Sequence, residues 1–341
     1  ETSKLTQLHI YMKKQIAIAS AILAATSYSF AEIALTESLS VEGFVDMSYT
    51  DSDNENSRIG IDQVEFDFLF NAGAVSAQVD VQYEGSNKSV LDISKLRSQL
   101  ENANDIDDLS DDESDYLSDE NEVIIEQAFV TYDLGNGAAL TAGRFASQLG
   151  FEAFEPTGLY QYSLAYANTA LPEYDQGVKY TNGSFGIAIV DDAGDSQIGD
   201  GSDYSIEVAY STDLGNGLGA FLGGRYNSVD GDDDQFVIDA YLTYETGAWL
   251  FAAEVVHYDD GTDVDTSALA MANYSYSDAA SVTARYSVED GNGVVDNTSK
   301  ITLAHNYALA DNLALIAEVS SVDVDGLDED VQSAVELLFT F

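Results

Sequence analysis

Val64-Glu-Phe-Asp-Phe-Leu-Phe70 and, a few residues on, Val75-Ser-Ala-Gln-Val-Asp-Val-Gln-Tyr83 form the unit that the rest of the chain repeats. Val64, Phe66, Phe68 and Phe70 share one parity, Glu65 and Asp67 the other. Val75, Ala77, Val79, Val81 and Tyr83 likewise alternate with Ser76, Gln78, Asp80 and Gln82. Side chains of a strand point alternately to its two faces, so each run has one apolar and one hydrophilic face. Asn71-Ala72-Gly73 supplies the tight connection, its glycine free to take positive φ. The pair reads as a β-hairpin, apolar on one side and wet on the other. A soluble sandwich can use such a hairpin once or twice; a lipid-facing barrel must use it all the way round.

The alternation does run all the way round. Ahead of the hairpin, Leu39, Val41, Val45, Met47 and Tyr49 share a parity in a strand near Leu39–Tyr49, and the hairpin itself covers about Ile59–Phe70 and Ala74–Tyr83. Beyond it, the pattern predicts strands over Val123–Tyr132, Ala139–Phe145, Glu173–Tyr180, Phe185–Val190, Tyr204–Ser211, Leu218–Tyr226 and Gln235–Tyr244. It continues over Ala248–Tyr258, Ser267–Tyr276, Ala280–Glu289, Lys300–Ala308, Leu313–Val322 and Val331–Phe341. Sixteen strands result. Tight connections such as Thr181-Asn-Gly-Ser184 and Asp133-Leu-Gly-Asn-Gly137 (repeated letter for letter at Asp213–Gly217) alternate with long acidic ones. The longest, Glu84–Asn121, holds a helical pattern around Leu91–Ala103 and a run of acids from Asp105 to Glu122.

An even count of antiparallel strands, with short turns on one rim and long loops on the other, predicts an all-β transmembrane barrel. Its long loops are external and its short turns periplasmic. No stretch after residue 31 approaches the roughly 18–20 consecutive apolar residues of a membrane-crossing helix. A closed barrel is the other backbone that leaves no polar group unpaired in hydrocarbon.

Near the start, Met12 is followed by Lys13-Lys14, an apolar stretch from Ile16 to Thr26 and a closing Ser29-Phe30-Ala31. A positive region, an apolar region too short to span a bilayer and a small-x-small site make a secretory signal peptide over Met12–Ala31. Residues 1–11 are then upstream sequence, and residues 32–341 a single barrel domain. The chain carries 12 Lys and Arg against 61 Asp and Glu, a formal net charge of −49; removing residues 1–31 takes Glu1, Lys4, Lys13 and Lys14 and leaves −51. Such acidity excludes nucleic acid as a partner, since phosphate binding needs a basic footprint. There is no Cys, hence no disulfide to staple the exported fold.

Two motifs add a resemblance. Ala142-Gly-Arg-Phe145 followed by Gly150-Phe-Glu152 resembles the OmpL-like β-barrel porins of Gram-negative outer membranes. The ending Val335-Glu-Leu-Leu-Phe-Thr-Phe341 resembles the signal by which such barrels are recognised and inserted, with Phe339 and Phe341 as its aromatic positions. The resemblance implies a cell outer-membrane location, reached through the periplasm. It also implies passive diffusion of ions and small hydrophilic solutes, a homotrimer in outer-membrane lipid, no cofactor and no enzymatic activity. In that family the third external loop commonly folds into the pore as a constriction. By position this is residues 146–172, making Glu152, Glu155, Tyr160 and Tyr162 constriction residues. The large acidic excess sets this chain apart from familiar members.

Five basic residues fall within the predicted strands: Arg144, Lys179, Arg225, Arg285 and Lys300. A charge on the lipid face costs about 2–4 kcal/mol near the midplane, so all five are expected to line the pore. They either form a basic wall opposing Glu152 and Glu155, or neutralise lumenal acids such as Glu65, Asp67, Asp80, Glu126, Glu207, Asp239, Glu254 and Glu318. Acidic stretches at Asp105–Glu122, Asp230–Asp234, Asp259–Asp265 and Asp323–Asp330 could gather Ca²⁺ or Mg²⁺, but none matches a full EF-hand loop and no metal site is assigned. After residue 31 only His257 and His305 remain, and no nucleophile elbow, zinc-binding H-E-x-x-H or phosphate loop occurs, so no catalytic set is assigned. Both His, with Trp249, Tyr274, Tyr276 and Tyr286, read as interfacial girdle residues. Excess carboxylate at the mouths predicts a cation-selective channel. Two alternatives stand beside it, a carbohydrate-selective outer-membrane channel and a secreted, acidic, Ca²⁺-binding β-rich adhesin.

Overall fold

The computed structural model describes residues 32–54, 56–84, 122–167, 171–191, 204–228, 234–259, 264–291 and 296–341. The strands in chain order are β1 (Ile33–Ala34), β2 (Leu39–Ser52), β3 (Arg58–Ala72), β4 (Val75–Glu84), β5 (Glu122–Gly135), β6 (Ala138–Ala146), β7 (Tyr174–Asn182), β8 (Phe185–Asp191) and β9 (Tyr204–Gly215). They continue as β10 (Leu218–Ser228), β11 (Gln235–Thr246), β12 (Trp249–Asp259), β13 (Val264–Ser277), β14 (Ala280–Gly291), β15 (Thr298–Ala310), β16 (Leu313–Val324) and β17 (Asp330–Thr340). From β2 onward each pairs antiparallel with its chain neighbours, and β17 returns to β2 with Val45 opposite Phe339. The result is a closed barrel of sixteen strands, with β1 a two-residue lead-in paired to Val41 and Ser40. Closure leaves no strand edge to satisfy, which is the condition for crossing hydrocarbon.

One rim is built from two-residue turns, and their residues follow turn chemistry. Asn136-Gly137 and Asn216-Gly217 have φ of 55° and 82° and of 57° and 81°, the doubly positive geometry of a type I′ turn. In both repeats the preceding Asp accepts from the glycine amide two residues on, Asp133 from Gly135 and Asp213 from Gly215, at 2.7 Å. Gly73, Gly183 and Gly247 instead lead their turns at φ of 58–68°. These turns sit a residue or two later than sequence suggests: Asn71, Ala72 and Asn182 still belong to strands, because the ladder holds until the glycine reverses the chain.

Alternation is strict along most of the wall. In β12, Trp249, Phe251, Ala253, Val255 and His257 face out, while Leu250, Ala252, Glu254, Val256 and Tyr258 face in. Outside, the apolar belt is lipid-facing surface; Leu303 is 60% and Ile238 53% exposed. Near the short-turn rim its aromatics stack as a girdle: Trp249 on Tyr274 at 4.5 Å, and His305 between Tyr276 and Tyr307. Arg285 shares its inward face with Ser281, Thr283, Ser287 and Glu289, with Val282 and Tyr286 outside, as parity predicts. Among the described residues no helix is long and apolar enough to cross a membrane, which says nothing of strands.

Two β-bulges break the alternation where chemistry collects. Asp62 is an extra residue in β3 opposite the Asp46–Met47 step of β2, and Glu126 is extra in β5 opposite the Asp80–Val81 step of β4. A bulge re-aims side chains. Here Asp62 and Gln63 are consecutive and both buried on the lumenal side.

At the seam between first and last barrel strands, Phe341 exchanges backbone hydrogen bonds with Gly43 (3.0 and 2.9 Å), and its ring lies 5.4 Å from that of Phe66. A Cβ on Gly43 would sit 2.1 Å from the Glu65 carbonyl oxygen and 3.0 Å from the Phe341 ring. Two aromatics thus cover a bare glycine on the outer surface. The helical pattern at Leu91–Ala103, the acidic run after Asp105 and the signal segment Met12–Ala31 lie outside the described residues.

Candidate functional site

The lumen is shaped by the segment between β6 and β7. This connection does not arch away from the rim; it folds inward and is held along the wall from β9 to β16. Ser147 and Gln148 donate to Glu207, the amide of Gly150 to Asp239 at 2.7 Å, and the amide of Phe151 to Glu254 at 2.5 Å. The amide and hydroxyl of Ser163 donate to Glu318, and the amide of Ala167 to Glu289. Lumenal carboxylates therefore act as acceptors for loop amides that no ladder satisfies, as buried backbone requires.

Sterics agree with that seating. Leu149, Phe151, Tyr160, Ala165 and Leu171 of the loop pack on Phe221, Val237, Tyr241, Leu250, Val256, Leu269 and Met271 of the wall in one buried apolar cluster. Phe221 stacks on Tyr241 at 4.5 Å, and Phe151 meets the same ring edge-on. Gly223 and Gly186 leave room: a Cβ there would lie 2.4 Å from Leu149 Cδ2 and 1.8 Å from Gln148 Oε1. The expectation of a uniformly hydrophilic inner face is thus corrected for β10–β13, where the loop covers the wall and keeps it dry.

Four of the five strand cations line the lumen. Arg285, with no side-chain exposure, donates to Glu152 at 2.5 Å, to the carbonyls of Ser163 (2.8 Å) and Leu164 (2.9 Å), and to Thr302. Lys300 donates to Ser163 Oγ at 2.6 Å and to the Leu164 carbonyl at 3.2 Å. Arg225 pairs with Asp175 at 2.6 Å, and Lys179 lies 4.3 Å over the Phe145 ring. Arg144 does not join them. It pairs in register with Ala128 and Gln176, on the parity of the exposed Val130 and Val178, and so faces outward. Its Nε donates at 2.8 Å to the carbonyl of Glu126, the residue bulged out of the ladder.

Glu152 and Glu155 part company. Glu152 does not oppose a basic wall across open water; it is bonded directly to Arg285 and also accepts from Gln161 and the Ala165 amide, both at 2.7 Å. Glu155, just before a single 3-10 turn at Pro156–Gly158, reaches the other wall. There it accepts from Tyr174 at 2.8 Å and Gln63 at 3.3 Å. Neither constriction tyrosine offers a free ring. Tyr160 lies in the apolar cluster, while the Tyr162 hydroxyl is 3.1 Å from Ser48 Oγ and 3.4 Å from Asp62. Desolvation, assisted by Glu245 for Tyr160 and by Asp62 for Tyr162, raises both phenols and keeps them neutral.

Against β4–β10, below the loop, lies a cavity of about 290 Å³ whose lining mixes Gln78, Gln127, Thr131 and Thr141 with Phe129, Phe145 and Lys179. Sequence reasoning missed the bulges and the glycine seats.

A closed sixteen-strand barrel with an apolar outer belt and a loop folded into its bore defines an outer-membrane porin. Residues 38–340 match the model of the family described as "Putative beta-barrel porin-2, OmpL-like", and the chain belongs to that family. It is a channel protein of the outer membrane and not an enzyme. By sequence, no curated protein matches. Among solved structures, the chain is similar to OmpT of Vibrio cholerae (11% identity, TM-score 0.60, covering 91% of this chain and 100% of that one). It is also similar to an anion-selective porin from Comamonas acidovorans (15% identity, TM-score 0.56, 89% and 99%). A third is OprB of Pseudomonas putida (10% identity, TM-score 0.61, 89% and 94%). At these identities the likeness concerns the fold.

Proposed function

We propose that the barrel is a passive diffusion channel for ions and small hydrophilic solutes, and that it selects cations. The observation that carries this reading is the composition of the lumen. Among the described residues the inner-wall acids, with Asp46, Asp62, Glu65, Asp80, Glu126 and Glu336 among them, outnumber the inner-wall cations Lys179, Arg225, Arg285 and Lys300. A narrow, low-dielectric bore lined by one sign of charge concentrates counter-ions and repels co-ions. Acidic long loops extend that field to the mouth. In planar bilayers, a KCl gradient across the purified protein is expected to give a reversal potential of the sign for K⁺ passage. A Cl⁻-selective potential overturns the reading.

The cavity under the loop favours a second reading within the same class. Aromatic faces of Phe129 and Phe145 beside amide and hydroxyl side chains suit a sugar's apolar and hydroxylated faces. Block of the ion current by added oligosaccharide distinguishes this alternative. Homotrimeric assembly in outer-membrane lipid, export by a signal peptide over Met12–Ala31, and insertion guided by Phe339 and Phe341 complete the proposal. One solved relative, OmpT of Vibrio cholerae, is described in a trimer form.

A further inference from the structure

Carboxylates from three wall strands, among them the bulged Glu126, and from the loop come to one place. Oxygens of Glu65, Asp67 and Asp80 lie within 4.8 Å of one another, and so do oxygens of Glu65, Glu126 and Glu155, with Glu65 common to both sets. Among the described residues no carboxylate of the five pairs with a Lys or Arg side chain, Arg144 reaching only the backbone carbonyl of Glu126. Their donors are neutral: Gln63 to Glu65 (3.1 Å) and Glu155 (3.3 Å), Gln78 and Gln127 to Asp80 Oδ2 (2.9 and 2.7 Å), and Tyr174 to Glu155 (2.8 Å). Asp80 is fully buried, and its other oxygen, Oδ1, has no donor at all.

We propose that this cluster binds a divalent cation of the Ca²⁺ class, linking Glu155 of the constriction loop to the β3–β5 wall. The site deepens the channel reading above and rests on it. Oxygens bound to one Ca²⁺ at about 2.4 Å stand no more than about 4.8 Å apart, the spacing that both sets meet. Ca²⁺ takes about six to eight oxygens, mixing carboxylates with amides and water. Gln63, Gln78 and Gln127 donate their amide nitrogens to these carboxylates and hold them in place, leaving water to complete such a shell. The ion supplies the positive charge that these acids lack, and it settles the loop arm that Arg285 and Lys300 do not reach.

Chelator-treated protein in detergent, titrated with Ca²⁺ by calorimetry and with Tb³⁺ sensitised by Tyr174, tests the site. The wild-type barrel is expected to show saturable uptake, with Ca²⁺ displacing Tb³⁺. Glu65→Gln, which touches both sets, is expected to abolish it, and Glu155→Gln to weaken it on the order of tenfold. Absence of saturable uptake overturns the proposal, as does an unchanged isotherm in a folded Glu65→Gln barrel. If Glu65→Gln does not fold, the loop variant Glu155→Gln decides by the same criterion. Selectivity in chelator-treated KCl separates the two readings. A barrel that passes K⁺ but takes up no Ca²⁺ overturns the site alone, while one that binds Ca²⁺ yet prefers Cl⁻ supports the site and overturns cation selectivity.

Discussion

Arg285 has a guanidinium with no solvent contact whose two terminal nitrogens donate to Glu152, Ser163, Leu164 and Thr302, so it is a positioning residue for the loop. Arg285→Ala leaves Glu152 facing an uncompensated interior, and breaking a buried pair in this way costs about 3–5 kcal/mol. The cost falls on the loop and not on the ladder. The expected outcome is a barrel that folds but shows larger, noisier single-channel steps; steps identical to wild type contradict the pinning role. Gly43 makes the opposite kind of prediction. Gly43→Leu drives a side chain into the Glu65 carbonyl and the Phe341 ring, and the expected result is loss of the heat-resistant folded band on a gel. At this scale parity and the cost of a lipid-facing charge together give all five strand cations an inward face; the structure sets Lys179, Arg225, Arg285 and Lys300 there and Arg144 outside, beside Leu140 and Ala142. Asp62 and Glu126 were beyond reach, because a bulge adds one residue without altering composition.

The described part of the loop from Ser147 to Glu173 is the element that fills the bore between β9 and β16. Its apolar residues look in sequence like surface aromatics; in the structure they pack over the inward Val237, Tyr241, Leu250 and Met271. That inner apolar run on β10–β13 was visible as letters, yet a strand apolar on both faces has no single reading until its partner is known. Phe151→Ala removes a ring set against Tyr241, a change that costs about 3–5 kcal/mol in a well-packed core. Protease added to the folded variant is expected to cut within residues 147–173 at a rate at which wild type resists; equal resistance argues that hydrogen bonds to Glu207, Asp239 and Glu254 suffice. The turns, by contrast, were nearly all legible. Asn-Gly and Gly-led pairs have few backbone solutions, and only their placement moved, by a residue or two.

Across the whole molecule, sixteen strands follow from sixteen alternating segments, and closure follows from an even antiparallel count. Val255 sits mid-strand on the outer belt with half its surface exposed, and Val255→Arg places a charge in acyl chains at a cost of about 2–4 kcal/mol. Folding into lipid vesicles is expected to slow or stop for this variant while folding into detergent continues; unimpaired insertion argues against a lipid-facing β12. The loop's many attachments carry a mechanical meaning as well. A hollow tube of hydrogen-bonded strands deforms most easily by flattening into an oval. A segment fastened to Glu207, Asp239, Glu254, Arg285 and Glu318, and meeting the opposite side through Tyr162 and Glu155, acts as a cross-brace against that flattening. Lateral pressure from the surrounding lipid is then borne by the brace, and the bore keeps its cross-section under load.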